Sequence, residues 1–217
     1  MVFFNQTAMK KYLLFILPFA TLSAFAQEIP SQIEIADTTF VNLKDFSKDF
    51  IYDMKYATAD NFLKTKVYDC EACYLRYKTV QALIEANERF IKKGYKIKIF
   101  DCYRPLDIQK KMFAIVPNPI YVADPKKGSI HNRGGAVDLT IVDSTGVELD
   151  MGTTFDFFGP EAAHDFENLT DIQKENRRLL RKTMVRSGFR IFESEWWHYN
   201  LKNAYKNKLS NFKWKCD

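Results

Sequence analysis

The chain holds three histidines, and two of them stand in segments suited to hold a metal ion. The first segment runs Ser129-Ile130-His131-Asn132-Arg133-Gly134-Gly135-Ala136-Val137-Asp138, and the second is Glu193-Ser194-Glu195-Trp196-Trp197-His198. Together they offer two imidazoles and one carboxylate, with a spare carboxylate three residues before the last imidazole. A catalytic zinc takes three protein ligands of this kind and keeps one position open for water. A free carboxylate beside that water serves as its base. Alone, His131 reads as a polar loop residue, Glu195 as a surface acid, and Trp196 and Trp197 as core. Asp138 is harder to dismiss, because an acid between Val137 and Leu139 is costly to bury unless it is paired or metal-bound. Arg104, fixed in a turn before Pro105, presents a guanidinium that can hold an oxyanion or a carboxylate. The set points to a metallohydrolase. His164, in Glu161-Ala162-Ala163-His164-Asp165, reads as a loop residue.

The elements that must position these groups follow from periodicity. Val80, Leu83, Ile84, Asn87, Phe90 and Ile91 recur at helical spacing, so Lys78 to Lys93 is expected to be a helix ended by Gly94. Tyr95 to Phe100 alternates as a half-buried strand and delivers Asp101-Cys102-Tyr103-Arg104-Pro105 into a turn. A short helix from Leu106 to Ala114 and a proline-rich loop from Val116 to Gly128 come next. Ala136 to Val142 is a strand, with Asp138, Thr140 and Val142 on one face. Gly134-Gly135 lets the backbone fold back, so that a loop histidine and a strand aspartate meet. Thr170-Asp171-Ile172-Gln173 is a capping box that opens a helix to Ser187, with Gly188 as its stop. Phe189 to Ile191 and Glu195 to Tyr199 read as a terminal pair of strands. Glu195 and His198 would face opposite sides of a regular strand, so either a bulge or a strand end brings both toward the ion, or Glu195 reaches around its open position without binding it. Residues 28–50 read as an N-terminal arm with a short strand or turn, and Ile51 to Tyr56 as extended. Elements in this order indicate an α+β fold.

Lys10-Lys11, an apolar run from Tyr12 to Ala20 and Ala24-Phe25-Ala26 before Gln27 form the pattern of a secretory signal over residues 1–26. Met9-Lys10-Lys11 opens a more typical signal than Met1 does, which makes Met9 a candidate start. The run is too short to span a membrane, and no cysteine follows it to carry a lipid. The remainder, 27–217, is expected to be one soluble domain without a stable membrane anchor, periplasmic or secreted. Losing Lys10 and Lys11 takes the formal charge from +5 to +3, too small a bias to indicate nucleic acid or membrane binding. The cysteines are Cys70, Cys73, Cys102 and Cys216. An even count in an oxidising compartment favours disulfides. Cys70-Glu71-Ala72-Cys73 lacks the second pair of a zinc ribbon, so a local Cys70–Cys73 bridge is the preferred reading. Cys102 and Cys216 then remain to pair, with connectivity open. The sequence carries no signal for oligomeric state.

Beyond single residues, the chain resembles a family. Ser129-x-His131-x6-Asp138 with Glu195-x-x-His198 is similar to the zinc D-Ala-D-Ala metallopeptidases, and more closely to the D-alanyl-D-alanine dipeptidases of the VanX type. Further matches are Tyr52-Asp53-Met54-Lys55-Tyr56-Ala57-Thr58, Asp60-Asn61-Phe62, Asp101-x-Tyr103-Arg104-Pro105, Phe155-Asp156-Phe157, Asn176-Arg177-Arg178 and Glu195-Trp196-Trp197-His198-Tyr199. They run in order over residues 51–199. The resemblance implies a hedgehog/DD-peptidase-like fold, with a central, mainly antiparallel sheet flanked by helices. It implies one zinc on His131, Asp138 and His198, with Glu195 as general base and then acid. Arg104 would stabilise the tetrahedral intermediate. Tyr56 and Asp156 match positions that recognise the free amino group of a small D-amino-acid dipeptide, and Ser129 one near its carboxylate. Two departures stand out: Cys102 occupies a turn position where the family usually has glycine, and the loop Phe113 to Gly128, which borders the cleft in relatives, is short. The implied activity is hydrolysis of D-Ala-D-Ala. The rival within enzymes is a D,D- or L,D-carboxypeptidase or endopeptidase acting on larger peptidoglycan peptides. The rival from another class is a zinc-containing binding module without catalysis.

Overall fold

A computed structural model describes Met1 and residues 34–216; the rest of the expected leader lies outside the described residues. Ile35–Asp217 forms one compact unit. Its strands are β1 (Phe40–Asn42), β2 (Ile51–Tyr52), β3 (Tyr74–Arg76), β4 (Lys96–Asp101), β5 (Ala136–Val142), β6 (Phe189–Phe192) and β7 (Glu195–Leu201). Its α-helices are α1 (Tyr77–Ile91), α2 (Leu106–Ile115) and α3 (Asp171–Arg186). The main sheet has the order β2-β4-β5-β7-β6. Only β2 and β4 run parallel; the other neighbours are antiparallel. β1 and β3 form a small antiparallel pair beside it. This is the expected α+β class with a mainly antiparallel central sheet. No described helix is long and apolar enough to cross a membrane.

The helices form for the reasons their sequences suggest. α1 turns Thr79, Val80, Leu83, Ala86, Asn87 and Phe90 inward, at the spacing of one helical face. Its buried Asn87 is satisfied at both ends: its amide donates to the Asp49 carbonyl, and its Oδ1 accepts from the Ile97 N–H at 2.8 Å. α3 opens on the capping box, with Gln173 N–H donating to Thr170 Oγ1 and Gln173 Oε1 accepting from Thr170 N–H. Gly188 ends it at φ 91°, in the left-handed region. α1 packs on β4 and on α3, and α3 covers β6 and β7. All seven residues of β5 are buried, so this strand is covered on both faces.

Two expectations need correction. Ile51 to Tyr56 is not extended throughout: the strand ends at Tyr52, and Lys55–Ala57 coil into a 3-10 turn. The Asn61 amide donates to the carbonyls of Lys55, Thr58 and Thr65, and that clasp holds the turn. The disulfides are not Cys70–Cys73 and Cys102–Cys216. Cys70 pairs with Cys216, and Cys73 with Cys102, at Cα separations of 5.8 and 5.2 Å, within bridging range. Cys73 leads into β3, and Cys102 stands just past the end of β4. The tertiary meeting of those two ends decides the connectivity, and local spacing does not.

Candidate active site

The sheet itself aligns the central residues. In the β4–β5 ladder Asp101 is the partner of Asp138, and in the β5–β7 ladder Asp138 is the partner of His198. Three neighbouring strands therefore carry Asp101, Asp138 and His198 in one row. His131 reaches the same place from a 3-10 turn, His131–Arg133, that ends on Gly134 at φ 73°. Gly134 has no room for a Cβ, which would press on Phe40 and Arg76; at Gly135 it would press on Ala204. The two glycines thus bring the histidine turn hard against the start of β5, as expected. His131 Nε2 lies 3.1 Å from His198 Nδ1 and 3.4 Å from Asp138 Oδ2, and Asp138 Oδ1 lies 2.9 Å from His198 Nδ1. One donor atom from each of the three lies within 4.8 Å of the others.

The remaining ring nitrogens are spoken for. His131 Nδ1 donates to the Cys102 carbonyl at 2.7 Å, and His198 Nε2 donates to Asn200 Oδ1 at 3.0 Å. These partners fix the tautomers, leaving His131 Nε2 and His198 Nδ1 as the lone-pair nitrogens that face Asp138. Burial alone would raise the Asp138 carboxyl. The charge and hydrogen bonds of His131 and His198 win, and hold it well below the usual range. Burial disfavours a charged His198, but its bond to Asp138 lifts it to about 8. The cluster therefore holds positive charge against a buried anion.

Glu195 joins them through a strand irregularity, one of the two routes open to it from the sequence. Between β6 and β7 the register shifts after Ile191, which pairs with Tyr199, to Phe192, which pairs with Glu195. The extra residues on β7 cancel the alternation, and Glu195 Oε2 comes to 3.9 Å from His198 Nδ1. Burial raises the Glu195 carboxyl above its ordinary value, against the pull of His198. Arg104 is buried opposite. Its NH2 group donates to Asp101 Oδ2 at 2.6 Å and its NH1 group to Gln109 Oε1 at 3.0 Å. Desolvation works against its charge, but Asp101 more than offsets it and keeps the guanidinium ionised. Its Nε is buried and has no partner.

Tyr56, Ser129 and Asp156 line the same cavity, of about 280 Å³, together with Arg104, His131, Asp138, Glu195 and His198. The expected site residues therefore meet in one place. Tyr56 donates its hydroxyl to Asp156 Oδ2 at 2.9 Å. Burial, then the charge of Asp138, pushes the Asp156 carboxyl well up, and burial keeps Tyr56 a phenol. Asp156 takes φ 58°, an uncommon backbone for an aspartate. The loop around it is clamped by α3: the buried Arg177 donates to the carbonyls of Met151, Glu161 and Ala163, and Asn176 to that of Asp150. Ser129 N–H and Oγ both donate to Asn132 Oδ1. Pro119, Ile120 and Tyr121 of the short loop form part of the rim. His164 stays outside, with its ring 6.1 Å from that of Tyr199.

Sequence reasoning missed four supports. Asn132, Gln109 and Asn200 are common polar residues with no pattern of their own. Asp101 was quoted in the Arg104 motif, but its row with Asp138 emerges only when β4 and β5 pair.

The chain belongs to the D-Ala-D-Ala dipeptidase family, peptidase M15, which matches residues 36–215. It is a peptidase by that membership. It is 34% identical to the D-alanyl-D-alanine dipeptidase of Escherichia coli K12 over 183 residues, 84% of this chain and 95% of that one. Identity to the D-alanyl-D-alanine dipeptidase of Enterococcus faecium is 32% over 185 residues, 74% and 91% of the two chains. Among solved structures, the LdcB LD-carboxypeptidase aligns at 24% identity with a TM-score of 0.41, over 61% of this chain and 62% of its own.

Proposed function

We propose that this peptidase hydrolyses the free dipeptide D-Ala-D-Ala with one zinc ion held by His131, Asp138 and His198. The observation that carries the reading is the pair of imidazole nitrogens, His131 Nε2 and His198 Nδ1, directed at each other 3.1 Å apart beside Asp138. Both are left as lone pairs by their outer partners, so a cation belongs among them. Two imidazoles and a carboxylate with hydrogen-bonded outer partners fit zinc. When bound, zinc supplies a water acidic enough to ionise near neutrality and a Lewis acid for the peptide carbonyl.

The chain's own residues do the rest. Glu195 takes a proton from the attacking water and returns it to the leaving amine, and its raised, half-buried carboxyl suits both roles. Arg104 lines the cavity and would bring its guanidinium charge to the developing oxyanion, and Asp101 and Gln109 hold that group still. Asp156 and Tyr56 take the substrate ammonium, whose charge draws Asp156 into its ionised form. Ser129 stands by the substrate carboxylate. A cavity of about 280 Å³ is at the small end for ligand sites, which favours a dipeptide over longer peptides. Two disulfides belong in an oxidising compartment and support a periplasmic or secreted enzyme.

The test compares D-Ala-D-Ala, L-Ala-L-Ala and N-acetyl-D-Ala-D-Ala as substrates of the purified zinc-loaded protein. Only the first is expected to be cleaved. Equal cleavage of the acetylated peptide would overturn the dipeptidase reading in favour of a carboxypeptidase; zinc uptake without cleavage of any D-Ala peptide would favour a binding module.

A further inference from the structure

We propose that Cys102, through its bridge to Cys73, is a positioning residue for the metal ligand His131. The inference rests on the reading of His131 as a ligand. The Cys102 carbonyl accepts the Nδ1 hydrogen of His131 at 2.7 Å, and this single bond sets both the tautomer and the rotation of the ring. What holds the carbonyl is therefore what aims the ligand.

The sheet does not hold it. The β4–β5 ladder slips between Ile99 and Asp101, and β4 ends at Asp101, one residue short. Cys102 thus lies beyond the last rung of the main sheet, and its peptide plane, which it shares with Tyr103 N–H, is tied to β3 instead. The support comes from the other sheet. Cys102 is bridged to Cys73, whose carbonyl accepts from Leu43 N–H at 2.9 Å, and Tyr103 N–H donates to the Tyr74 carbonyl at 2.9 Å. The bridge is fully buried, with neither sulfur-bearing residue exposed. Cys102 N–H donates to Asp101 Oδ1, and the other oxygen of that carboxylate holds Arg104. One tether thus steadies a metal ligand and the carboxylate behind the oxyanion arginine. The second bridge, Cys70–Cys216, fastens the C-terminal segment and makes no such contact with His131.

The two bridges provide an internal control. The full mature chain is made as wild type, Cys73→Ala/Cys102→Ala, Cys70→Ala/Cys216→Ala and His131→Ala, and zinc affinity of each apoprotein is measured by competition with a chromophoric chelator. Alanine avoids new thiols that would themselves bind zinc. Loss of the Cys73–Cys102 bridge keeps the carbonyl but releases its position, and is expected to weaken zinc roughly 10-fold, the lower end for a disturbed outer-shell partner. Loss of Cys70–Cys216 is expected to lower the thermal midpoint while leaving zinc affinity within about twofold of wild type. Unchanged affinity in the first variant, or equal losses in both, would make the bridge a plain staple and overturn the proposal. If His131→Ala binds zinc as wild type does, the metal-site reading itself has failed, a separate outcome. A Cys73→Val/Cys102→Ala chain refills the buried space and carries the test if the double alanine variant does not fold.

Discussion

Asp138 and His198 are register partners on adjacent antiparallel strands, and their side chains meet at 2.9 Å, so the sheet places one proposed ligand opposite another without help from any loop. A carboxylate this deep is stable only because two imidazoles, or a metal they share, balance it. Asp138→Ala is therefore expected to cost the zinc outright, at least ~100-fold in affinity, the upper end for an outer-shell loss. Metal analysis after dialysis checks it; one zinc retained per chain would remove Asp138 from the ligand set.

Glu195 sits beside that trio rather than in it. Glu195→Gln keeps the shape and removes the base, so zinc content is expected to stay at one per chain. Turnover of D-Ala-D-Ala should fall by roughly 10²- to 10⁴-fold, the usual worth of a placed acid–base group. Steady-state kinetics on zinc-loaded protein decides it. A parallel loss of zinc would make Glu195 a ligand instead.

The sequence was readable where chemistry is local. A branched strand containing one aspartate, a double-glycine turn after a histidine and a capping box each act through their own neighbours, and β5, His131 and α3 form where they were expected. It was opaque where partners are distant. The meeting of Cys73 with Cys102, the row from Asp101 to His198 and the three carbonyls on Arg177 depend on which segments pack together. Glu195 and His198 lie between these cases: their spacing left a strand irregularity as one of two routes, and the β6–β7 ladder supplies it.

Asp156 tests the substrate's ammonium end. Its carboxyl lines the cavity with Glu195 and the metal cluster, Tyr56 orients it, and a bound ammonium would draw it into its ionised form. Asp156→Asn keeps the size and loses the charge. A charge-assisted hydrogen bond is worth about 1.5–3 kcal/mol, so kcat/KM for D-Ala-D-Ala should drop by roughly 10- to 150-fold. Zinc affinity serves as the control and should not drop in step.

Arg177 acts on the same loop from behind. Its guanidinium is buried and satisfies three carbonyls of residues 151–163. Arg177→Met leaves those acceptors bare, which should cost about 3 kcal/mol in urea unfolding. It should also raise KM, because the segment that presents Asp156 loses its clamp. Wild-type stability in the variant would show that water replaces the guanidinium at no cost.

His164 predicts how stability depends on pH. Burial, with Arg181 and Arg177 nearby, lowers its pKa from 6.5 to about 4, and its Nε2 is buried without a partner. The folded chain thus keeps the ring neutral at pH values where the unfolded chain protonates it. Between pH 6.5 and 4 the unfolded state binds more protons, so this group's contribution is fully present above 6.5 and is lost as pH falls toward 4. At pH 4 the loss is roughly 2–3 kcal/mol, allowing for partial exposure. His164→Gln cannot titrate, so its unfolding free energy should change less over this window than that of wild type. Denaturant unfolding of metal-free protein at pH 7, 5.5 and 4 measures the difference; parallel curves for the two proteins would mean that the ring already protonates in the fold.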